Sequence, residues 1–226
     1  MSQAGRREGS APAVAGCVTR MKKISESAVR RLSLYLRLLQ EADAAGAETI
    51  SSGQLAERGG TTSAQVRKDL SLFGSFGKRG LGYSVQELLG RIREILGLQK
   101  TWRVALVGAG KLGSALFSYR DFEARGFHIR AVFDSDPRKV GTTWGGLTVR
   151  ADEEMERTLA AEQVDMAILA VPADAAQQVA DRIVAAGVRG ILNFAPVRLK
   201  VARGVVLKNV DVTLELEGLS FGLNPR

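Results

Sequence analysis

Apolar residues recur at helical spacing in the first hundred residues. A dense apolar face over residues 25–46 predicts one helix of about 20 residues. The same spacing predicts a short helix over residues 51–58 and an amphipathic helix over residues 85–98. Ser51 or Ser52 is a plausible N-cap for the short helix, and glycines near residues 46, 59 and 97 fit the ends of the three helices. The N-terminal part of the chain is therefore predicted to be helical.

Beyond residue 100, short apolar runs alternate with helical patterns. The runs predict strands at residues 104–107, 128–133, 147–149, 164–171, 190–193 and 205–214. The patterns between them predict helices at residues 114–125, 152–161 and 173–186. Strands that alternate with helices indicate a mostly parallel sheet covered on both faces.

A polar and basic segment lies within the helical part. Residues 61–73 carry an apolar face of Val66, Leu70 and Phe73 opposite a polar one. Two short helices joined by a glycine turn, the second basic near its start, predict a helix-turn-helix whose second helix enters the major groove of DNA. Gln and Arg can read base edges, whereas hydroxyl groups and Lys more often bind phosphates. The candidate DNA contacts are Ser52, Thr62, Ser63, Gln65, Arg67 and Lys68.

A glycine-rich stretch follows this segment. Residues 74–85 place glycines at short intervals around Lys78 and Arg79. The pattern predicts a β-hairpin with a basic tip, the wing of a winged helix, which contacts the DNA backbone or the minor groove. A plain surface loop is the alternative interpretation.

A glycine-spaced turn follows the strand at residues 104–107. Gly108 allows a sharp exit from the strand, Gly110 lets the backbone approach a pyrophosphate, and Gly113 lets the next helix pack close to the sheet. Asp134 ends the second strand, 21 positions beyond Gly113, where a dinucleotide fold places the carboxylate that accepts ribose hydroxyls. An ordinary turn with incidental glycines is the alternative. The candidate cofactor contacts here are Gly108, Ala109, Gly110, Lys111, Leu112, Gly113 and Asp134.

The position of Asp134 favours NAD and NADH as cofactors, because a carboxylate there repels a 2′-phosphate. Arg138 and Lys139 complicate this choice, since cations beside the adenosine end can hold such a phosphate. We nevertheless favour NAD(H), because the carboxylate ends the strand itself.

Three further residues follow strands at the sheet edge where ligands bind in this architecture. Val171 and Pro172 end one strand, and Phe194 ends the next. An aromatic ring at a strand exit can stack on nicotinamide, which makes Phe194 a candidate cofactor contact. A phenylalanine that covers the core is the alternative.

Charge is uneven along this chain, whose formal net charge is +8. Residues 1–100 hold 16 Lys and Arg against 9 Asp and Glu, whereas residues 101–226 hold 16 against 15. The excess suggests that the N-terminal part binds a polyanion, with a basic solvated face as the alternative. The single Cys17 and the single His128 provide neither a disulfide framework nor a zinc site.

The sequence also indicates where in the cell the protein is located. No apolar run is long enough to span a bilayer, so we expect a cytoplasmic protein without a membrane partner. Residues 1–22 are small, polar and aperiodic, and we expect them to form a disordered tail.

Several motifs, in order, closely resemble the Rex family of redox-sensing transcriptional repressors over about residues 23 to 224. They are Tyr35-Leu36-Arg37, Gln65-Val66-Arg67-Lys68-Asp69-Leu70-Ser71, Phe73-Gly74-Ser75-Phe76-Gly77, Arg79-Gly80-Leu81-Gly82-Tyr83, Gly113-Ser114-Ala115-Leu116 and Asn193-Phe194-Ala195-Pro196. The resemblance implies an α/β chain with a winged helix-turn-helix domain at 23–100 and a Rossmann domain, a doubly wound parallel sheet, at 101–213. The C-terminal helix at 214–226 would be exchanged between subunits.

The resemblance also implies a function without catalysis. The chain would be a homodimer that binds palindromic operator DNA, through the major groove and the wing, while NADH is low relative to NAD⁺. NADH would release the DNA. Tyr119 is implied as a cofactor contact and, with Arg37, as part of a network that differs between the NADH-bound and DNA-bound states. Phe194 falls on the family's nicotinamide-side phenylalanine.

Two other functions fit parts of the sequence. An NAD-dependent oxidoreductase with an accessory basic domain would need a proton donor beside the nicotinamide. However, His128 starts a strand on the adenosine side, and no tyrosine has a lysine four residues further on. A CoA-binding or nucleotide-binding module without DNA is the other alternative, and the winged-helix segment argues against it.

Overall fold

The structure is a computed structural model that describes residues 24–74, 77 and 81–224. The chain divides into two compact units, Met1–Gly97 and Leu98–Arg226. The tail predicted at residues 1–22 and the basic tip predicted at Lys78 and Arg79 lie outside the described residues. Across the part that is described, no helix has the length and apolar character needed to cross a membrane.

The first unit consists of helices and a short two-stranded ribbon. Its elements are α1 (Glu26–Ala44), β1 (Thr49–Ile50), α2 (Ser52–Arg58), α3 (Ser63–Ser71), β2 (Tyr83–Ser84) and α4 (Val85–Ile95). Each helix begins after a hydroxyl side chain that accepts a hydrogen bond from the backbone N–H three residues further on; these caps are Ser25, Ser51, Thr62 and Ser84. Such a cap contributes about 1 kcal/mol. A hydroxyl cap was predicted from the sequence for α2 and α3.

The core of the first unit lies between its helices. The side chains of Leu32, Leu39, Leu55, Val66 and Ile92, from all four helices, have no exposed surface. The helix-turn-helix predicted from the sequence is formed by α2 and α3, which the turn at residues 59–62 joins.

The ribbon adds a feature that the sequence pattern did not predict. Ile50 pairs with Tyr83, and Thr49 pairs with Ser84, in antiparallel register. The C-terminal end of the predicted hairpin segment therefore bonds to the residues between α1 and α2. A strand of two residues is too short to produce a readable alternation of apolar and polar positions.

The second unit is built on a seven-stranded sheet. Its elements are β3 (Trp102–Val107), α5 (Lys111–Phe117), α6 (Asp121–Ala124), β4 (Phe127–Asp134), β5 (Thr143–Trp144), β6 (Leu147–Ala151), a short 3-10 helix (Asp152–Glu154), α7 (Met155–Ala161), β7 (Met166–Leu169), α8 (Ala173–Ala185), β8 (Gly190–Asn193), β9 (Val206–Asn209) and α9 (Val212–Leu223). The strand order is β5-β6-β4-β3-β7-β8-β9, and only the β5–β6 pair is antiparallel. Without β5, this is the order of a Rossmann fold.

Both faces of the sheet are covered. Ala105 and Val107 of β3 belong to one buried cluster, whereas Val104 and Leu106 of the same strand belong to another. Successive side chains of a strand point to opposite faces, so both faces of β3 pack against helices. The predicted fold class, a helical N-terminal unit and a Rossmann-like C-terminal unit in an α/β chain, is confirmed.

Two predicted elements differ from the structure. The single helix predicted at residues 114–125 is interrupted between α5 and α6. Phe117 and Phe122 both pack against the same core cluster. In one straight helix, side chains five residues apart point in widely different directions around the axis, so these two rings would not share a face. The break between α5 and α6 lets both rings reach the core.

The last predicted strand is also shorter than expected. The pattern at residues 205–214 suggested a strand or two, but β9 ends at Asn209 and α9 begins at Val212, after an N-cap at Asp211. The β-branched residues on both sides of Asp211 favour strands. However, the Asp211 side chain accepts a hydrogen bond from Thr213 N, and this N-cap starts a helix there instead.

Candidate nucleotide-binding and DNA-binding sites

The turn after β3 lies where the order of the sheet reverses. β3 has β4 on one side and β7 on the other, and open α/β sheets bind ligands beside such a point. Gly108 has a φ of +104°, in the left-handed region that favours glycine. A Cβ there would lie 2.3 Å from the carbonyl oxygen of Ala170, at the end of β7. The turn and the end of β7 therefore approach each other in a way that only glycine permits.

The other two glycines of the turn have different surroundings. A Cβ on Gly113 would lie 1.9 Å from the carbonyl oxygen of Gly108, so this glycine lets α5 pack directly on the turn. A Cβ on Gly110 would meet no heavy atom within 4 Å. Space beside the backbone of Gly110 fits the close approach of a pyrophosphate that the sequence predicted there.

Asp134 is held at the carboxyl end of β4, where it is 8% exposed. Its Oδ2 accepts hydrogen bonds from Ala109 N at 2.7 Å and from Lys139 Nζ at 3.0 Å. Its Oδ1 accepts from Asp136 N at 2.8 Å. A carboxylate can accept about four hydrogen bonds, so one position remains for a ribose hydroxyl.

The two cations near the adenosine end are both paired with carboxylates. Lys139 bonds to Asp134, and Arg138 forms two side-chain hydrogen bonds to Asp136, from Nε at 3.0 Å and from Nη2 at 2.8 Å. The hydrogen bonds from Arg138 lower the pKa of Asp136 to about 2. Because both cations already have a carboxylate partner, the geometry favours the ribose of NAD(H) over a 2′-phosphate.

These elements line a cleft of about 710 Å³. That volume is within the range of small-molecule sites. Eight of the eleven predicted cofactor residues line it: Gly108, Gly110, Lys111, Leu112, Asp134, Val171, Pro172 and Phe194. Ala109 and Gly113 shape the turn without lining the cleft, and Tyr119 is also absent from its lining. With an open glycine, a carboxylate for ribose and an apolar end, these residues fit a dinucleotide.

Cations are distributed unevenly in the cleft. Arg182 is paired with Glu156 and Asp152, and Lys139 is paired with Asp134. Lys111, in contrast, forms no ion pair with any residue that the structure describes. Its ammonium group at the start of α5 is therefore available to a phosphate.

The sequence analysis missed one wall of the cleft. Helix α8 contributes Ala175, Gln178, Val179 and Arg182. These four positions follow the i, i+3, i+4, i+7 spacing of one helix face. The spacing could have identified the wall, but a face that mixes small, polar and apolar residues does not stand out from an alanine-rich helix.

Phe194 sits at the start of a loop that its neighbour holds in place. Asn193 is fully buried, and its Nδ2 donates to the carbonyl oxygens of Ala195 and Val197 and to Asn209 Oδ1, while its Oδ1 accepts from Ala195 N. The Asn193 side chain, which precedes Phe194, thus fixes the backbone that follows it, at Ala195 and Val197. It is a positioning residue that the sequence analysis quoted only as part of a motif.

In the first unit, several candidate DNA contacts already bond to one another. Thr62 Oγ1 accepts from Gln65 N at 3.1 Å, which leaves its hydroxyl proton free to donate. Arg67 Nη1 donates to Ser52 Oγ at 3.0 Å, which links α3 to α2. Arg67 and Lys68 are exposed, and Ser63 is the half-buried first residue of α3.

The buried face of α3 contains a carboxylate that the sequence analysis did not single out. Asp69 is 2% exposed and accepts hydrogen bonds from Arg31, Tyr35 and Gln65. Burial opposes ionisation of Asp69, but these hydrogen bonds outweigh it and lower the pKa of the carboxyl. Gln65, predicted to contact DNA, is therefore also bonded within the protein.

The two predicted switch residues lie in different units. Arg37 is exposed on α1. Tyr119 lies between α5 and α6, is 52% exposed, donates to Asp121 Oδ2 at 3.4 Å, and packs edge-to-face on Phe122 with ring centroids 5.1 Å apart. The network predicted between Arg37 and Tyr119 stays a prediction.

Comparison with known proteins agrees with this division of the chain. Residues 23–71 match the family described as "Putative DNA-binding protein N-terminus", and residues 99–197 match the family described as "CoA binding domain". The redox-sensing transcriptional repressor Rex of Desulfitobacterium hafniense is 48% identical over 204 residues, which cover 90% of this chain and 97% of the relative.

Two solved structures of RSP, a Rex-family repressor, are also similar. The complex of RSP with β-NAD⁺ and operator DNA has a TM-score of 0.86 and 41% identity, and covers 90% of this chain and 94% of the other. The complex with β-NADH has a TM-score of 0.82 and 39% identity, and covers 90% and 95%.

The fold and the cleft define a class of protein in which a helix-turn-helix unit is joined to a Rossmann unit with a dinucleotide site. Identity of nearly one half over nine tenths of the chain narrows that class to one family. The chain belongs to the Rex family of redox-sensing transcriptional repressors. The resemblance seen in the sequence motifs is thereby confirmed.

Proposed function

We propose that this chain is a redox-sensing transcriptional repressor that binds operator DNA when NADH is low relative to NAD⁺ and releases it on binding NADH. The observation that carries the proposal is the presence, in one chain, of a capped, basic helix-turn-helix and a dinucleotide cleft with Asp134 at its adenosine end. The RSP complexes with β-NADH and with β-NAD⁺ and operator DNA support both ligands.

We assign the DNA contacts to the face of α3 and α2 that carries the exposed cations. Arg67 and Lys68 are exposed there, and the hydrogen bond from Arg67 to Ser52 holds its guanidinium beside α2. Thr62 and Ser63 are the hydroxyl contacts at the start of α3, and Lys78 and Arg79 are the wing contacts. Cations and hydroxyls of this kind bind phosphates, which makes affinity fall steeply with salt.

In the cleft, this chain's residues would orient the cofactor from both ends. Asp134 would accept a ribose hydroxyl, the backbone of Gly110 and the ammonium of Lys111 would bind the pyrophosphate, and Phe194 would lie at the nicotinamide. The reduced nicotinamide lacks the positive charge of the oxidised form, and this difference is the signal. Phe194 and Val171 are apolar, so they favour the uncharged ring.

The release of DNA follows from differential affinity. NADH can oppose DNA binding only as far as it binds the DNA-free state more tightly than the DNA-bound state. NAD⁺ must bind both states more evenly, or more weakly. Arg37 and Tyr119 are the residues to which we assign the difference between the states.

In this proposal NADH is a signal and undergoes no reaction. The relatives are named as redox-sensing transcriptional repressors. Incubating the protein with NADH should therefore produce no NAD⁺ above the rate in buffer. A repressor acts on DNA, so the proposal also places the chain in the cytoplasm.

We also propose a homodimer. The side chains of Val212, Leu216, Leu219 and Leu223 recur at helical spacing on α9 and are 61–81% exposed. An apolar stripe of this size on one helix fits burial against a second copy of the chain. A palindromic operator matches the two-fold symmetry of such a dimer.

The test is a mobility-shift assay on a duplex that the protein itself selects from a random pool. We expect a palindromic duplex, a shifted complex that persists with NAD⁺, and its loss as NADH is added. A complex that persists at saturating NADH would overturn the mechanism even if both ligands bind. Selection of no sequence would overturn DNA recognition.

A further inference from the structure

The carboxylate of Asp69 has a complete set of partners. Its Oδ2 accepts from Arg31 Nε at 2.6 Å and from Tyr35 Oη at 3.0 Å. Its Oδ1 accepts from Arg31 Nη2 and from Gln65 Nε2, both at 2.8 Å. Four hydrogen bonds use the accepting capacity of a carboxylate, so Asp69 has none left for any other group.

The network links two different helices of the first unit. Arg31 and Tyr35 belong to α1, whereas Asp69 and Gln65 belong to α3, the helix predicted to enter the major groove. A buried ion pair gains little over well-packed apolar residues, so stability alone is a weak reason for one between Val66 and Leu70. The hydrogen bond from Gln65 to Asp69 suggests a better reason, which is the positioning of the Gln65 side chain.

Gln65 is one turn before Asp69 on α3 and is half-buried. A glutamine amide has two N–H donors and one carbonyl acceptor. One N–H is bonded to Asp69, which leaves the other N–H and the carbonyl oxygen. One donor and one acceptor on a single amide are what glutamine uses to read the N7 and N6 groups of adenine in the major groove.

We propose that Asp69 is a positioning residue for base recognition, which holds the amide of Gln65 so that its remaining N–H and its carbonyl oxygen read one adenine of the operator. The proposal rests on the function proposed above and names how that function gains sequence specificity. Arg31 neutralises the Asp69 carboxylate, so the DNA phosphates do not repel α3. Gln65 then acts as a fixed reader, whereas Lys68 and the Arg67–Ser52 pair supply affinity.

The experiment is a double-mutant cycle in which the affinity for DNA is measured with each base pair of the operator changed in turn. Wild-type protein, Q65A, D69N and the double variant Q65A/D69N are titrated against the selected operator and each of its single-base variants, at one salt concentration. Q65A should lower the preference for one A·T pair about tenfold. D69N should lower the preference at the same pair, and the double variant should lose no more than Q65A alone.

Tyr35→Phe is the matched control, since it removes a hydrogen bond from the same carboxylate without touching Gln65. Its base preferences should equal those of the wild type. D69N also removes one negative charge, so binding to non-operator DNA should not weaken. Thermal unfolding verifies that each variant is folded; if D69N does not fold, D69E, which retains the charge but lengthens the side chain, replaces it in the cycle.

Three results would overturn the inference. They are equal weakening by D69N on every duplex, losses by Q65A and D69N that add in the double variant, and no change of base preference in Q65A. Each leaves the proposed function intact, provided that the wild type binds its operator and releases it with NADH. A wild type with no sequence preference would instead overturn the proposed function itself.

Discussion

The backbone N–H of Ala109 donates to Asp134 Oδ2 at 2.7 Å, which joins the glycine turn after β3 to the carboxyl end of β4. The carboxylate that would accept a ribose hydroxyl therefore also fixes the turn that would contact the pyrophosphate. Both parts of the cleft depend on one side chain that is 8% exposed. Changes at Asp134 should affect the whole cofactor site.

Asp134→Ala should weaken NADH binding about tenfold or more, because it removes a charged hydrogen-bond acceptor and releases Ala109 N. Isothermal titration calorimetry measures the affinity. The control is Asp181→Ala, which removes an exposed carboxylate of α8 that bonds to Gln177 and does not line the cleft. Equal affinities in the two variants would contradict a role for Asp134 in the site.

Gly113→Ala and Gly110→Ala should separate folding from binding. A Cβ at position 113 would clash with backbone at 1.9 Å, so this variant should lose about 3 kcal/mol or more of unfolding free energy. A Cβ at position 110 meets nothing within 4 Å, so that variant should fold normally and bind NADH more weakly. Urea unfolding and NADH titration measure the two effects.

The opposite pattern would show that the glycines have been assigned the wrong roles. A stable Gly113→Ala variant would mean that α5 can move away from the turn. A Gly110→Ala variant with wild-type affinity would mean that the cofactor does not approach the backbone at that position.

The burial of the Tyr35 hydroxyl, together with its hydrogen bond to Asp69, should make stability fall at alkaline pH. Burial, and then the hydrogen bond to Asp69, raise the pKa of Tyr35 to about 12, against about 10 in an unfolded chain. The stabilisation is complete below pH 10 and is lost as the pH rises towards 12, because the unfolded chain ionises first. The loss should approach about 3 kcal/mol, and Tyr35→Phe should lack it. Urea unfolding of both proteins at several alkaline pH values measures the difference.

The sequence was most informative where one local pattern determines the structure. The backbone conformation at the helix starts is determined locally by Thr62 and by the serines that cap the helices. The conformation of the turn after β3 is determined in the same way by the spacing of Gly108, Gly110 and Gly113. Asp69 lies in the QVRKDLS motif, yet its burial depends on Arg31 and Tyr35, which are more than thirty residues away in the chain. A pairing of that kind leaves no periodic signal.

The cleft shows the same limit. Arg138 and Lys139 read as free cations in the sequence, and the structure pairs them with Asp136 and Asp134. The wall formed by α8 likewise comes from the packing of a helix on the sheet. Local turns could be predicted, whereas partners brought together by tertiary folding could not.

Replacing Phe194 with Ala tests how the two forms of the cofactor are distinguished. Phe194 follows β8 and Asp134 ends β4, with β3 and β7 between these strands, and both residues line the cleft. Without the apolar ring, binding of NADH should weaken more than binding of NAD⁺, which carries the extra charge. The ratio of the two affinities, measured by calorimetry, should fall; an unchanged ratio would show that the discrimination comes from elsewhere.

The apolar stripe of α9 should control the oligomeric state. Leu216→Asp combined with Leu219→Asp places two charges on side chains that are 61% and 63% exposed, so the fold of the chain itself should not change. A dimer that buries them would lose about 3 kcal/mol or more, since burying one leucine contributes roughly 1.5–3 kcal/mol. Sedimentation velocity should show a dimer for the wild type and for Glu217→Lys, a control on the same helix, and a monomer for the double variant. The monomer should bind the palindromic operator far more weakly than the wild type while it retains NADH binding through the cleft.

A wild type that sediments as a monomer, or a double variant that remains dimeric, would show that another surface joins the subunits.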